Sequence, residues 1–181
     1  AAPMHFVVAF RMYFMAFAEM VMENRIDNEI AVGTNVYSHD WHLIAMKLRK
    51  KGDKVIAGDF SAFDGSLSYQ LLQTILDIIN DWYDDGEVNM RIRTVLWEEI
   101  CAANVLVGKD LIRQTHSQPS GNPYTVIINS FVNSLVMRLA YLYAKREHVH
   151  ECPLFDFRKN VSLISYGDDN VLNISYAVID W

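Results

Sequence analysis

The sequence predicts an α+β fold on three observations. Several long stretches carry apolar residues at helical spacing, short apolar runs are bounded by Gly, Asp and Asn, and the two kinds are mixed along one chain. Of the 181 residues 51% are apolar, 21% charged and 12% aromatic. That composition can fill a sizeable core and excludes a disordered chain. No repeat, low-complexity stretch or Pro/Gly/Ser-rich linker divides residues 1–181, which read as a single piece. The chain opens Ala1-Ala2-Pro3 and ends Val178-Ile179-Asp180-Trp181 without a turn or cap, so both ends are expected to be cuts within a longer polypeptide.

The elements follow in order. Phe6, Phe10, Phe14, Phe17 and Val21 recur at helical spacing, which predicts a buried helix over 6–22. Arg11 and Glu19 interrupt it, and its longest uncharged apolar run, Met12–Ala18, is too short to span a bilayer. No basic segment or cleavage site marks it as a signal peptide. Lys54–Asp59 reads as a strand. Ser66 is a candidate cap for a helix over 67–82 with the stripe Leu67, Leu71, Ile75, Ile78 and Trp82, stopped by Asp84-Asp85-Gly86. A further helix is expected over 89–102. Val105–Val107 and Leu111–Ile112 flank Gly108-Lys109-Asp110 as a hairpin. A fourth helix should start at Asn122-Pro123, the Asn capping and the Pro suiting the first turn, and run to about Lys145. Val161–Tyr166 and Val171–Ile174 around Gly167-Asp168-Asp169-Asn170 form the strongest hairpin signal.

Charge and cysteine content narrow the function classes. The net charge of −6 argues against extensive phosphate contacts by these residues themselves. Lys47, Arg49, Lys50 and Lys51 cluster, and the plain reading is a solvated helix end. Cys101 and Cys152 stand in no CxxC or Cys/His pattern, so zinc is not expected, and two thiols fit a reducing compartment.

Three segments carry chemistry. In Ser162–Asn170 an apolar strand runs into Asp168-Asp169 and a second strand leads out, which concentrates negative charge at a hairpin tip. Such a pair repels itself unless a cation sits there, and Mg²⁺ takes carboxylate oxygens together with substrate phosphates. Turn propensity alone explains Gly-Asp-Asp-Asn equally well. In 54–66 a strand ends in Asp59, and Asp64 follows at a helix start, where it could serve only as a dipole partner. In 120–133 a Gly-containing loop feeds a helix on which Thr125, Asn129 and Asn133 lie four apart along one stripe. Buried polar groups need partners, which can be one another, the backbone or a ligand's hydroxyls.

Taken together, DxxxxD, then SGxxxTxxxN, then YGDD, in this order and at these separations, resemble motifs A (54–66), B (119–134) and C (161–174) of viral RNA-dependent RNA polymerases. The resemblance covers nearly the whole chain. The stretch 29–41 and the wording DFSAFDGSL are most similar to picorna-like viruses, the dicistrovirus-like insect viruses in particular. It implies the palm subdomain of a right-hand polymerase, an antiparallel sheet backed by helices, with partial fingers segments. It also implies that Asp59, the backbone carbonyl of Phe60, Asp168 and Asp169 serve two Mg²⁺ ions, with Mn²⁺ able to substitute. Asp64 and Asn129 would sense the ribose 2′-hydroxyl with Ser120 and Thr125 nearby, and Gly121 would be the pivot of a mobile loop. The implied partners are RNA template, primer or nascent strand, ribonucleoside triphosphates and other viral replication proteins. No membrane segment is expected in the chain itself, although the family replicates in the host cytoplasm at membrane-associated complexes.

The physics of these roles is consistent. Two ions ~4 Å apart could clamp the attacking 3′-hydroxyl and the leaving pyrophosphate. A site built for the 2′-hydroxyl could reject deoxynucleotides by up to ~10⁴-fold. The triphosphate-gripping and general-acid elements of the family would lie outside these residues, which accounts for the acidic balance and predicts that 1–181 alone does not polymerise RNA. A reverse transcriptase usually places a bulky aromatic at the position of Asp64. A two-metal nuclease has no need of the Thr125/Asn129 stripe, and a helical interaction module would bind no divalent ion specifically.

Overall fold

The computed structural model describes residues 2–114, 122, 124–145 and 153–178. The elements are α1 (Met4–Glu23), α2 (Asp40–Leu48), β1 (Val55–Gly58), α3 (Phe63–Ser66), α4 (Tyr69–Tyr83), α5 (Glu87–Cys101), β2 (Asn104–Val107), β3 (Asp110–Arg113), α6 (Thr125–Lys145), α7 (Pro153–Asn160), β4 (Val161–Tyr166) and β5 (Asp169–Ile174). The mixture is α+β, as the sequence predicts. Two compact units make it up: Ala1–Met20 with Ser61–Ile128, and Val21–Phe60 with Asn129–Trp181.

The first unit is built on aromatic packing. Phe10 and Phe14 stack on each other with centroids 4.1 Å apart, lie parallel to Trp97 and meet the edge of Tyr124. Buried polar atoms are satisfied around them. The Trp97 indole N–H donates to the Leu72 carbonyl at 3.1 Å, and the Ala18 amide donates to the Tyr124 hydroxyl at 3.0 Å. Arg93 is buried, paired with Asp85, donating to Asn80 Oδ1 at 2.7 Å and lying 4.2 Å over the Tyr83 ring.

α4 departs from the expected pattern. Its cap is Ser68, whose Oγ accepts from the Leu71 amide, while the Ser66 hydroxyl donates to the Phe63 carbonyl inside α3. The buried face is Leu72, Ile75, Leu76 and Ile79, and Trp82 is 43% exposed with its ring edge against Phe17. The doublets Leu71-Leu72, Ile75-Leu76 and Ile78-Ile79 support two stripes one residue apart, and periodicity alone does not choose between them. α6 begins later than expected, at Thr125; the Asn122 Oδ1 accepts from the Tyr124 amide at 2.9 Å ahead of the helix rather than from an amide within it, and Pro123 lies outside the described residues.

The second unit holds a three-stranded antiparallel sheet in the order β1-β5-β4. The free edge of β4 is met by the 29–31 segment: the Ala31 amide donates to the Ser165 carbonyl and the Ser165 amide to the Glu29 carbonyl. One apolar cluster joins Tyr141, Phe157, Val161, Leu163 and Ile174, and a second joins Ile26, Ala31, Ile44 and Ile164. α2 and α7 lack a long apolar stripe in the sequence. α2 buries only Asp40 and Ile44, and the Asp40 carboxylate accepts from Arg25 and from the Asn35 amide.

Measured over the whole helix rather than its longest uncharged run, α1 is long and apolar enough to cross a bilayer by length and composition, and so is α6. Both carry the faces of core helices here. α1 buries Phe10, Phe14, Phe17 and Val21, and α6 buries Ile127, Ile128 and Val132 alongside Asn129, Ser130 and Asn133.

Candidate active site

The sheet of the second unit sets the strand that leads to Asp59 against the strand that begins at Asp169. β1 pairs with β5 so that Gly58 lies opposite Asn170 and Ala57 opposite Val171. Asp59 follows Gly58 directly, just past the end of β1. β4 pairs with β5 down to Tyr166 opposite Asp169, which leaves Gly167 and Asp168 as the turn. Gly167 takes φ +63°, a conformation that costs a side-chain-bearing residue and suits the first turn position of such a hairpin. Asp59 and Asp169 are exposed and Asp168 half-buried.

Helix α6 fixes the hairpin tip from beneath. The Asn133 side-chain amide reaches the carbonyls of Gly167, Asp168 and Asp169 at 3.1, 2.8 and 3.1 Å. The Gly167 amide donates to the Ser130 hydroxyl at 2.8 Å. Both side chains are fully buried, so these bonds are made away from competing water. The sequence stripe includes Asn133 but passes over Ser130. The overlooked signal is polar density: Asn129-Ser130 and Asn133-Ser134 stand in an otherwise apolar helix.

Gly58 was also passed over. A Cβ built on it would fall 2.6 Å from Asn170 Oδ1, so any side chain here would force the buried Asn170 side chain or the strand to shift next to Asp59. Asn170 is 3% exposed, and neither of its side-chain polar atoms has a hydrogen-bond partner among the described residues.

The other predicted residues are distributed as follows. Phe60 ends the first segment of the second unit and is half-buried, and Asn129 is buried in the same unit. Asp64, in the first turn of α3, and Thr125, at the start of α6, belong to the first unit and are half-buried. Ser120 and Gly121 lie outside the described residues.

Among the described residues no group of three or more His, Cys, Asp or Glu forms a ready-made metal cage. Asp168 and Asp169 are adjacent at the tip, and the β1–β5 register ends with Gly58 opposite Asn170, one residue short of Asp59. None of the three carboxylates is in a salt bridge among the described residues. Mg²⁺ typically takes one or two protein carboxylates and completes its shell with water and phosphate, so an open carboxylate set suits it better than a closed cage.

A family profile described as viral RNA-dependent RNA polymerase matches residues 1–181. The chain belongs to that family. Among similar proteins, the replicase polyprotein of Cricket paralysis virus is 51% identical over 191 residues, an alignment covering all of this chain and 11% of that protein. The replicase polyprotein of Acute bee paralysis virus is 45% identical over 184 residues, covering 99% of this chain and 10% of that protein. The polymerase chain therefore spans about a tenth of the length of these relatives. Among solved structures, a Sicinivirus 3Dpol RNA-dependent RNA polymerase superposes with a TM-score of 0.72 at 20% identity, over 99% of this chain and 36% of that one. The fold is thus that of a right-hand polymerase, and the resemblance to insect-virus polymerases read from motifs A to C holds along the whole chain.

Proposed function

We propose that this chain carries the catalytic palm of an RNA-templated RNA polymerase, transferring nucleotides from ribonucleoside triphosphates to an RNA 3′ end during viral genome replication. The observation that supports the reading is the register of β1 on β5, which ends with Gly58 opposite Asn170, each the chain neighbour of an aspartate of motif A or C. Motif A (54–66), motif B (119–134) and motif C (161–174) lie within it, and parts of the first unit contribute to the fingers.

Asp59, the Phe60 carbonyl, Asp168 and Asp169 would hold two Mg²⁺ ions, with Mn²⁺ as a substitute. Bound there, the ions would lower the pKa of the attacking 3′-hydroxyl and neutralise charge on the leaving pyrophosphate. Asn133 and Ser130 hold the tip backbone so that the carboxylates need not reorganise when substrate arrives, which is how preorganised sites lower barriers. Asp64 and Asn129, with Ser120 and Thr125, read the ribose 2′-hydroxyl. A deoxynucleotide would leave their polar groups unpaired, the basis of selection for ribonucleotides. Gly121 is the pivot of the loop that follows the template. The partners are RNA template and primer or nascent strand, nucleoside triphosphates and other viral replication proteins, in host cytoplasm at membrane-associated complexes.

The test is primer extension on a homopolymer RNA template by the polymerase containing these residues, with Mg²⁺ or Mn²⁺ and an Asp168→Asn control. Metal-dependent incorporation that disappears in the variant supports the reading. Activity that survives Asp168→Asn removes the metal site, and metal-dependent release of nucleotides without pyrophosphate moves the assignment to a nuclease.

A further inference from the structure

A second polar site lies away from the carboxylates. A cleft of about 620 Å³ opens in the second unit between the Asp27–Glu29 turn, the end of α2, α6 and the start of β4. Lys47, Lys50, Lys51, Arg138 and Arg158 line it against Asp27 and Glu29, a local excess of positive charge in a chain whose net charge is −6. Its strand residues, Val161 to Leu163, begin β4, whereas the aspartates follow the other end. At ~3.3 Å per residue the two are roughly 20 Å apart along the strand.

Only part of this positive charge is committed. The Arg138 guanidinium grips Glu29, with N–O distances of 2.9 and 3.0 Å, and lies 4.5 Å over the Phe157 ring. The Lys47 ammonium donates to the carbonyls of Ile26 and Asp27. Lys50, Lys51 and Arg158 have no carboxylate partner among the described residues. Burial pushes the Lys47 ammonium below its ordinary value, and repulsion from Lys50 and Arg138 adds to that against the pull of Glu29 and Asp27. The two carboxylates thus outweigh the neighbouring cations at Lys47 itself, and the positive charge left over is that of Lys50, Lys51 and Arg158. The turn is also held in an unfavourable backbone, with Ile26 at φ 70° and Glu29 at φ 73°. For a β-branched residue that conformation is a true outlier, and such strain gathers where a site is held in shape.

We propose that this cleft binds a compact anion carrying two or more phosphate groups, held by Lys50, Lys51 and Arg158 with Lys47 and Arg138 behind them. The volume suits a small ligand. Arg offers a bidentate fork and Lys a mobile point charge, both good phosphate partners. A nucleic-acid strand fits less well, because its binding grooves track the backbone with successive aromatic platforms and Phe131 is the one aromatic residue among the described residues of this lining. The site stands independently of the catalytic reading.

The test is isothermal titration of the polymerase containing this chain with tripolyphosphate, in EDTA and at near-physiological salt, so that no metal draws the probe to the aspartates. Saturable binding is expected, unchanged by Asp168→Asn and by the distant Lys109→Glu. It should weaken about tenfold or more in Lys50→Glu/Arg158→Glu and in the milder Lys50→Gln/Arg158→Gln, which decides the matter if the first variant misfolds. Phosphatidylcholine vesicles with and without a phosphoinositide bisphosphate separate the sources. Phosphoinositide-dependent vesicle binding lost in the same variants identifies a lipid headgroup, and binding of tripolyphosphate alone identifies a soluble ligand. Absence of saturable binding, affinity unchanged in both double variants, or cleft-dependent binding of single-stranded RNA alone would overturn the proposal.

Discussion

Substituting Gly58 by alanine tests the geometry of the carboxylate site without touching a carboxylate. The added Cβ would sit 2.6 Å from Asn170 Oδ1 and 3.2 Å from its Cγ and Nδ2. Real Cβ atoms do not approach so closely, and Asn170 is 3% exposed, with little room to swing away. Either β1 separates from β5 or the Asn170 side chain leaves its rotamer. Overpacking of this kind costs about 1–3 kcal/mol of stability. Asp59 follows Gly58 directly, so it moves with β1, and a displacement near 1 Å at a reacting centre costs on the order of 10²-fold in rate. The expected result is urea unfolding that reports a loss of about 1–3 kcal/mol, with primer extension falling about 10- to 100-fold while the protein remains folded. Truncating the obstacle should restore part of both: Gly58→Ala/Asn170→Ala should show a coupling of about 1 kcal/mol or more toward the unsubstituted protein. Wild-type stability and full incorporation in Gly58→Ala would refute the packing argument and with it the placement of Asp59 by β1.

Two further predictions follow from contacts already described. Asn133→Ala removes the donor shared by three tip carbonyls and should cost about 1–3 kcal/mol in chemical unfolding, with a parallel loss of incorporation; an unchanged protein would mean that the tip needs no support from α6. The Arg93 guanidinium beside Asp85 holds that carboxyl below its ordinary value of 3.8. A depressed folded pKa means that the stabilisation is complete above about pH 3.8 and is lost as pH falls through the lower folded value. Acid unfolding should therefore steepen below about pH 3.8, and Asp85→Asn should flatten that part of the curve while lowering stability at neutral pH, because Arg93 stays buried without its counter-ion. An acid limb identical in the two proteins would count against it.

The candidate carboxylates are easier to single out in the sequence than the contacts that support them. Asp59, Asp168 and Asp169 could be named because turn and strand chemistry is local: apolar runs ending in Gly, Asp and Asn are read within ten residues. Their juxtaposition was legible only through the family motifs, since nothing in either segment states that β1 pairs with β5 rather than with β4. The supports were hidden for the same reason. Ser130 and Asn133 bond to a hairpin more than thirty residues away, and Gly58 is needed because of a neighbour more than a hundred residues later. α2 was missed because its buried side is small and partly polar, and the Lys47–Lys51 cluster read as a solvated helix end because the turn facing it lies some twenty residues earlier.

The strand order β1-β5-β4 also bears on how the chain is made. β1 leaves the ribosome about 110 residues before its partner β5. At about 5–20 residues per second, it waits on the order of 5–20 s with its hydrogen-bonding edge unsatisfied. Val55 and Ile56 are more than a third exposed even in the finished fold, so during that interval the strand is a template for pairing with other chains. The intervening 61–128 segment supplies most of the first unit and much of its own core, which can gather while β1 waits. The two-segment construction of this sheet thus makes arrival of the β4–β5 hairpin the step that both brings Asp168 and Asp169 to the strand before Asp59 and retires an aggregation hazard.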